Sequence, residues 1–443
     1  MSIAQKNVGF LVYGIREIVE VAHAIKKLDP TIELTWENIG DPVAKGWPVP
    51  PFLKEILATE IARPDNRSFA YTHSRGNPET RAWAAGYSKK WCPSSKLTAD
   101  DILFTNGLGS AISMIYQMIA TGKRVLQPSP TYPTHASFES FCAGSKPIFY
   151  KLDPDNNWEP DIASIESALK EHPEVIGITI INPNNPTGAA YSKETLAKIV
   201  DIAERNKLMI ISDEIYFRMV YPGTTHVQMT ELASGRVPLL VMRGLSKDVP
   251  WPGGRCGWLE FHNVDINPEF KTYADGLKQR VLPEVCAGTL QQQVLPQIYD
   301  HPDFPAWNAN YSKELKIVAD DIASILSTVP ELQVNKTHGA FYMVPRFKTG
   351  SLTATQSLPI ANPAVKTYIE KLVNPPAGGP ALPLDKRFTY YLLAATGIVC
   401  VPASDFFSPY HGFRITTLER DPAKRKKTYE KFTSAVRAYL GSG

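Results

Sequence analysis

The sequence predicts an α/β protein of two or more domains, one of which is built on a parallel sheet covered by helices. Three observations lead to this fold class. Strand patterns alternate with helical patterns through the middle of the chain. The 443 residues exceed what one ordinary hydrophobic core organises. Polar or glycine-rich segments follow directly on several predicted strands, as ligand-binding loops do in such sheets.

The clearest predicted strand is 176–181, a continuous apolar, β-branched run of the kind that is buried on both faces of a parallel sheet. A turn-rich segment at 182–188 follows it, and a helix is predicted to begin near Ser192. Further strands are predicted at 208–212 and 238–243. This alternation favours parallel strands joined by helical crossovers.

Helical patterns flank this region on both sides. One helix is predicted after the glycine turn at 107–109, which itself follows a strand at 102–105. A long helical pattern at 308–326 is suited to connect two domains. Residues 352–384 are rich in Pro, Gly, Ser, Thr and Ala, so we expect mostly loop there, interrupted by a helix at 363–373. A surface insertion is favoured over a lid or an oligomer contact.

Composition places the chain among ordinary globular enzymes, with 43% hydrophobic and 21% charged residues and a net charge of +3. The basic run Lys424–Lys427 is expected to be a solvated helix face, so no nucleic-acid partner is predicted. No apolar run approaches membrane-spanning length, and the start does not resemble a signal peptide. The five cysteines show neither metal spacing nor pairing, so we expect a cytoplasmic protein without a metal site.

Four segments with residues that could bind a ligand or take part in catalysis follow predicted strands. Asn185, Asp213 and Lys247 each come shortly after a strand, and the turn at 107–109 follows another and opens a helix. Ligands collect at the carboxyl ends of strands in open α/β sheets. The sequence therefore predicts that these segments meet in one ligand site.

Taken singly, each of these groups has an ordinary structural explanation. A glycine pair at a helix start suits a phosphate but is more often a tight connection. Asp213 could hold a pyridinium N–H or cap a helix, and Lys247 could form a Schiff base or be a surface charge. Arg255 and Arg414 could bind a phosphate and a carboxylate, or form structural ion pairs.

Together these segments resemble the class I/II aminotransferases, which are pyridoxal-phosphate (PLP) enzymes of fold type I. The resemblance runs from about Tyr13 to Leu418 and keeps the family's order of motifs. The motifs are PSPTYPTH at 128–135, NPNNPTG at 182–188, SDEIY at 212–216, GLSKDVPWPGGRCGW at 244–258 and GFRIT at 412–416. YGIRE near the start, ENIGDP and YTHSRGNPETR are most similar to the alanine and tyrosine aminotransferase branch.

The resemblance implies a large PLP-binding domain at 48–305 with a mostly parallel seven-stranded sheet. It implies a smaller α+β domain formed by 1–47 and 306–443. It also implies an aminotransferase that acts on an amino acid and a 2-oxo acid by a ping-pong mechanism, with glutamate and 2-oxoglutarate as one pair. The family forms homodimers with shared active sites, and the same is expected here.

The resemblance assigns the catalytic roles to two residues. Lys247 would carry the Schiff base with PLP and later move a proton between the substrate and the cofactor. Asp213 would keep the pyridine nitrogen protonated, which makes the ring a better electron sink. His135 would contact Asp213 on the side away from the cofactor and hold it in position.

Other residues would hold the cofactor by its ring and its phosphate. Asn185 and Tyr216 would donate hydrogen bonds to the phenolic oxygen, and Tyr132 would stack on the ring. The phosphate would be held by Gly107, Leu108, Gly109 and Arg255, together with Tyr71 of the neighbouring subunit.

The resemblance also implies the substrate contacts. Arg414 and Asn185 would bind the substrate carboxylate, and Gly40 would lie against the substrate. The rest of the pocket is expected to be lined by Tyr13, Tyr71, His73, Arg75 and Phe341.

One departure from the family and two alternatives remain. Many relatives have a hydroxyl residue three positions before the lysine, where this chain has Gly244, and Ser246 could replace that contact. Another PLP chemistry, such as that of a decarboxylase, a C–S lyase or a racemase, needs the same lysine and aspartate. A PLP-binding transcription regulator is disfavoured, because few residues precede Tyr13.

Overall fold

One long sheet with helices on its faces forms the centre of the fold, and three short sheets lie beside it. These counts refer to residues 3–375 and 381–443, which the computed structural model describes. The strands are Thr35–Trp36 (β1), Ile102–Thr105 (β2), Arg124–Ser129 (β3), Phe149–Asp153 (β4), Glu159–Pro160 (β5), Val175–Ile181 (β6), Met209–Asp213 (β7), Leu239–Gly244 (β8), Gly257–His262 (β9), Leu332–Gln333 (β10), Tyr342–Met343 (β11), Arg346–Phe347 (β12), Ile398–Val399 (β13), Val401–Pro402 (β14) and Phe413–Thr416 (β15).

Helices connect most of these strands. They are Gly14–Leu28 (α1), Pro51–Ile61 (α2), Pro78–Lys89 (α3), Leu108–Gln117 (α4), Pro133–Ala143 (α5), Ile162–Glu171 (α6), Lys193–Arg205 (α7), Met229–Leu232 (α8), Pro268–Arg280 (α9), Thr289–Tyr299 (α10), Phe304–Leu326 (α11), Pro363–Val373 (α12), Leu384–Thr396 (α13) and Pro422–Leu440 (α14). Several begin with a side-chain cap, such as Ser192, whose hydroxyl accepts from the N–H of Thr195 before α7.

The central sheet has the strand order β2-β9-β8-β7-β6-β3-β4-β5. The pairs from β8 through β7, β6 and β3 to β4 are parallel, whereas β9 runs antiparallel to both of its neighbours. The α/β class with a large, mostly parallel sheet is therefore confirmed. The sheet has one strand more than the seven predicted, because β5 adds two residues antiparallel to β4 at the edge. Two residues are too few to leave a periodic pattern in the sequence.

The predicted elements of the middle region are present with small shifts at their ends. The predicted strand at 176–181 is β6, and those at 208–212 and 238–243 are β7 and β8, each beginning one residue later than predicted. The long helix α11 begins at Phe304, four residues before the predicted start, with Pro305 in its first turn. The predicted helix at 363–373 is α12.

The proline-rich segment packs at a distance from the central sheet's strand ends. Leu352 and Leu358 are buried in the core, and the side-chain amide of Gln356 donates to the carbonyls of Ser351 and Leu440. These contacts fix the segment against the end of α14. Its residues 376–380 lie outside the described residues.

Two surface features bear on the classes of partner considered above. In the basic run at the start of α14, Lys424 pairs with Glu419 and Lys426 pairs with Glu430, as on a solvated helix face. In the described ranges, no helix combines the length and the apolar character that crossing a membrane requires. All five cysteines are unpaired.

A buried charge cluster joins β7, β8 and β9 beside their carboxyl-end region. The guanidinium of Arg243 lies 3.0 Å from Glu214 Oε2 and 3.5 Å from Glu260 Oε1, and all three side chains are buried. Burial alone would raise the pKa of Glu260, but Arg243 and hydrogen bonds from His262 and Trp258 outweigh it and lower the pKa to about 2. The strands that carry the site are thus joined by charge as well as by backbone hydrogen bonds.

Candidate active site

A cavity of about 590 Å³ opens at the carboxyl ends of β6, β7 and β8. Its walls also include the start of α1, the segment 38–41, the start of α4 and β15. Ten of the predicted site residues line it: Gly40, Leu108, Gly109, Tyr132, Asn185, Asp213, Tyr216, Lys247, Arg255 and Arg414. Residues separated by up to 374 positions in the chain therefore meet in one place.

The glycine turn forms one end of the cavity. Gly107 has a φ of 77° and is the N-cap of α4, so the free N–H groups of the helix start face this end. A Cβ at Gly107 would lie 2.7 Å from Nη2 of Arg255. The guanidinium of Arg255 donates only long hydrogen bonds, of 3.4 Å each, to the carbonyls of Asn106 and Pro252. This cation and the helix start together suit an anion such as a phosphate.

Lys247 follows β8 and extends its amine into the cavity. Its Nζ donates to the carbonyl of Gly40 at 2.8 Å and lies 5.5 Å from the centroid of the Phe341 ring. No ion pair to this amine exists in the part of the chain that the structure describes. A half-buried amine without an acidic partner is available for reaction with a ligand.

Asp213 ends β7 at the floor of the cavity. Its Oδ1 accepts a hydrogen bond from the N–H of Ile215 at 3.1 Å, and its Oδ2 lies 3.1 Å from Nε2 of His135. His135 is fully buried behind the carboxylate and does not line the cavity. The carboxylate is therefore held from two sides.

Asn185 and Tyr216 lie on the wall next to Asp213. Oδ1 of Asn185 is buried and has no hydrogen-bond partner within the described residues. An unpartnered buried amide oxygen is costly unless a ligand completes its hydrogen bonding. The hydroxyl of Tyr216 donates to the hydroxyl of Tyr342 at 3.1 Å, a contact that the sequence did not predict.

Arg414 projects from β15 and is 2% exposed. Its Nη2 donates to the carbonyl of Asn38 at 2.6 Å, while its Nε has no partner in the described ranges. The guanidinium lies between the rings of Tyr342 and Phe406, at 4.6 and 4.8 Å from their centroids. Burial lowers the pKa of Arg414. A buried cation without a counterion favours an anionic ligand strongly.

Gly40 contacts both Lys247 and Tyr342, the tyrosine whose ring packs against Arg414. A Cβ at this position would approach the hydroxyl of Tyr342 to 2.2 Å, so only glycine fits without movement of Tyr342. Tyr132 lies on another wall, with its hydroxyl 3.4 Å from that of Tyr13. Burial raises the pKa of Tyr132, so its phenol stays protonated.

The outer wall of the cavity differs from the expectation. Tyr13 and Gly40 line it as expected, but Phe341 is fully buried and the next residue, Tyr342, faces the cavity. Tyr71, His73 and Arg75 do not line this chain's cavity; Arg75 pairs with Asp100 at 3.4 Å instead.

Several polar lining residues were not predicted from the sequence, and three of them matter for the chemistry of the site. They are Asn38, Tyr342 and Arg16, which is exposed and has no ion pair among the described residues. Arg16 lies in YGIRE, three positions after Tyr13, so helical spacing from that tyrosine is the signal that could have found it.

The structure explains the glycine at 244. A Cβ there would lie 2.7 Å from the backbone oxygen of Cys256, in the β8–β9 pair. A hydroxyl residue would therefore force the two strands apart. Ser246, two residues later, lines the cavity and offers a hydroxyl close to Lys247 and Arg255.

The fold and the cavity place two cations and a helix start next to an amine and a carboxyl group, an arrangement suited to an enzyme that handles a small anionic ligand. The sequence profile of aminotransferase class I and II matches residues 44–431. An uncharacterized aminotransferase of Methanocaldococcus jannaschii is 41% identical over 430 residues, which cover 97% of each chain. The glutamate-pyruvate aminotransferase AlaA of Haemophilus influenzae is 31% identical over 312 residues, covering 70% of this chain and 74% of AlaA.

A solved structure gives the same family assignment as these sequence relatives. An alanine aminotransferase from Pyrococcus furiosus superposes with a TM-score of 0.82 at 28% identity, covering 98% of this chain and 99% of its own. The chain belongs to the aminotransferase class I and II family. It is therefore an enzyme of the transaminase kind, as the sequence motifs predicted.

The glycine turn generates a first prediction. We expect Gly107→Ala to lose affinity for inorganic phosphate at least tenfold, because its Cβ would displace the Arg255 guanidinium. Gly235→Ala is the matched control, since Gly235 has a φ of 69° but open space around its Cβ position. Both variants should lose a similar, small amount of stability, about 1–2 kcal/mol. Calorimetric titration with phosphate distinguishes them, and equal affinity of both variants would contradict the anion site.

Proposed function

We propose that this protein is a PLP-dependent aminotransferase that moves an amino group between an L-amino acid and a 2-oxo acid, with glutamate and 2-oxoglutarate as one pair. The observation that carries the proposal is the meeting of Lys247, Asp213, an anion cradle and the buried Arg414 in one cavity. One set of groups can serve two substrates in turn, so a ping-pong reaction in two half-reactions follows.

The residues present fit PLP group by group. The cradle of Gly107, Leu108, Gly109 and Arg255 would hold the phosphate. Asp213 would hold the protonated pyridine nitrogen, and Lys247 would bind the aldehyde carbon covalently. Tyr132 would cover one ring face, and Asn185 and Tyr216 would reach the phenolic oxygen. The glycine at 107 supports this fit, because a side chain there would collide with the Arg255 guanidinium that would hold the phosphate. Asn185 would donate to the phenolic oxygen through its amide nitrogen.

When bound, PLP supplies an electron sink for the pair left on the substrate α-carbon and a carrier for the amino group. Asp213 would keep the pyridine nitrogen protonated, and His135 holds that carboxyl group in place. The amine of Lys247 would accept the proton that leaves the substrate α-carbon and would return it later in the same half-reaction. The carbonyl of Gly40, which accepts from Nζ at 2.8 Å, is an acceptor that would orient this amine whenever it is free.

Two cations would select the substrate. Arg414 would bind the α-carboxylate, since its guanidinium is buried without a counterion. Arg16, at the outer wall, would bind the second carboxylate of glutamate or 2-oxoglutarate. The name of the glutamate-pyruvate relative supports this pair. A clamped α-carboxylate disfavours the alternative of an amino-acid decarboxylase. A C–S lyase would be recognised by release of a thiol from its substrate.

We further propose a homodimer whose active sites are shared, with each chain divided into a large domain at 48–305 and a small domain from 1–47 and 306–443. Tyr71 is 83% exposed and Phe69 66% exposed, which is unusual for large aromatic side chains. A second copy would cover them and bring Tyr71 to the neighbouring phosphate site. Five unpaired cysteines support the cytoplasm as its location.

Lys247 provides the direct test of the proposed function. Borohydride reduction of the PLP-loaded enzyme and peptide mapping should place the cofactor on Lys247. Both Lys247→Ala and Lys247→Arg should fold and lose turnover, because the arginine keeps the charge but cannot form the covalent bond. A label on another lysine would overturn the assignment of the site.

Kinetic measurements should distinguish the roles of Arg414 and Arg16 in substrate binding. Arg414→Lys keeps the charge but loses the fork, so affinity for every amino acid should fall by about thirtyfold or more. Arg16→Gln should lower the affinity for glutamate and 2-oxoglutarate by about tenfold and leave the affinity for alanine and pyruvate nearly unchanged. Half-reaction rates against substrate concentration measure both effects. Equal losses for glutamate and alanine in Arg16→Gln would remove that residue from the proposal.

Shared sites predict complementation between inactive variants. Tyr71→Ala mixed with Lys247→Ala should restore roughly a quarter of the wild-type activity, since half of the dimers are hybrids with one intact site. Asp213→Ala mixed with Lys247→Ala is the control, because both residues line the same chain's cavity and no hybrid site is complete. Activity in the control mixture, or none in the test mixture, would refute the shared site.

A further inference from the structure

A line of buried hydrogen bonds runs from Asp213 away from the cavity. Oδ2 of Asp213 lies 3.1 Å from Nε2 of His135, and Nδ1 of the same imidazole lies 2.9 Å from the hydroxyl of Tyr116. Tyr116 belongs to α4, the helix whose start forms the anion cradle, and is 1% exposed. Both imidazole nitrogens of His135 are therefore engaged by side chains of residues that are at most 3% exposed.

The other neighbours of the Tyr116 hydroxyl limit where its single proton points. Nε2 of Gln127 donates to the carbonyl of Val125 at 3.2 Å, which fixes the amide orientation, and also donates to the Tyr116 oxygen at 3.1 Å. Thr179 Oγ1 lies 3.1 Å from the same oxygen and has a proton of its own to donate. Oε1 of Gln127 also lies 3.4 Å from the phenol oxygen, farther away than Nδ1 of His135 at 2.9 Å. Because Nε2 of Gln127 donates to the phenol oxygen and Thr179 can donate to it, we assign the phenol proton to the shorter contact with Nδ1.

We propose that Tyr116 is a positioning residue that fixes His135 as the neutral tautomer with its proton on Nε2. The imidazole then donates to Asp213 without bringing a positive charge to it. Asp213 keeps its full negative charge for the pyridine nitrogen of the cofactor. This consequence rests on the proposed function; the tautomer itself does not.

The hydroxyl of Thr179 favours this arrangement over its rival, because within the described residues Tyr116 is its one hydrogen-bond partner, and in the rival the Thr179 proton would have no acceptor. In the rival, Nδ1 of a doubly protonated imidazole donates to Tyr116, and the phenol donates to Thr179. An imidazolium next to Asp213 would neutralise the carboxylate that the ring nitrogen needs. Burial raises the pKa of Tyr116, so the phenol stays protonated and remains a donor.

The tautomer can be measured without cofactor. Long-range proton–nitrogen NMR spectra of protein labelled with ¹⁵N-histidine distinguish the two neutral tautomers from the imidazolium, and His135→Gln identifies the signals. We expect an unprotonated Nδ1 and a protonated Nε2 in the wild type, and loss of this pattern in Tyr116→Phe. An imidazolium in the wild type, or an unchanged pattern in Tyr116→Phe, would overturn the proposal.

Two further variants make the measurement specific. Tyr150→Phe is the matched control, because Tyr150 is fully buried and its hydroxyl donates to the carbonyl of Thr179 at 2.9 Å without touching His135. Its histidine pattern and its activity should match the wild type. In the proposed arrangement the Thr179 hydroxyl only donates to Tyr116, so Thr179→Val should keep the NMR pattern of the His135 neutral tautomer. Loss of that pattern in Thr179→Val would favour the rival arrangement.

The PLP-loaded enzyme gives the second readout. Tyr116→Phe should lower kcat by about tenfold to a hundredfold and leave KM within about twofold, because Tyr116 touches neither substrate nor cofactor. A change in KM without a change in kcat would contradict the proposal that Tyr116 acts on the reaction by way of His135 and Asp213. If the tautomer is as expected but Lys247 carries no cofactor, the proposed function fails and the assignment of Tyr116 stands.

Discussion

The parallel pairing of β6, β7 and β8 places Ile181 beside Asp213 and Asp213 beside Met242. Asn185 follows the first strand by four residues and Lys247 follows the third by three. This register fixes the order of an amide, a carboxylate and an amine across the floor of the cavity. Nothing else needs to bring them together, because side chains beyond the carboxyl ends of neighbouring parallel strands must lie side by side. The buried Arg243 cluster adds ion pairs between the end of β7, β8 and the neighbouring β9.

Much of this was visible in the sequence, for a physical reason. Buried parallel strands are continuous apolar runs, and the residues that follow them carry the chemistry, so Asn185, Asp213, Lys247 and the glycine turn could all be placed. Helix ends were predictable where a capping side chain or a proline marked them, as at Ser192 before α7.

The missed residues lack such a local signal. Tyr342 lies in a strand of two residues, and a shift of one position exchanges it with Phe341 between core and cavity. Tyr116 is an ordinary apolar-face residue of α4 in the sequence, and only the packing of α4 against α5 brings its hydroxyl to His135. Asn38 acts through its backbone carbonyl, which no side-chain pattern can indicate.

The cations of the site share one feature that bears on how they bind ligands. Arg414 donates to the carbonyl of Asn38, Lys247 to that of Gly40, and Arg255 to those of Asn106 and Pro252. Each acceptor is a neutral backbone oxygen, and none of the three cations pairs with a carboxylate in the described residues.

Neutral partners hold these side chains in position without neutralising them. A phosphate or carboxylate offers these cations a charge–charge attraction that a neutral carbonyl lacks, and offers a guanidinium two parallel hydrogen bonds, so it displaces the carbonyl readily. A fixed carboxylate would instead have to be separated from the cation first, at the cost of a buried charge. The segment 38–41 supplies two of these carbonyls, so the residues that hold Arg414 and Lys247 before binding belong to the same short stretch of chain. A displacement of this stretch would therefore move the carbonyl acceptors of the guanidinium and of the amine together.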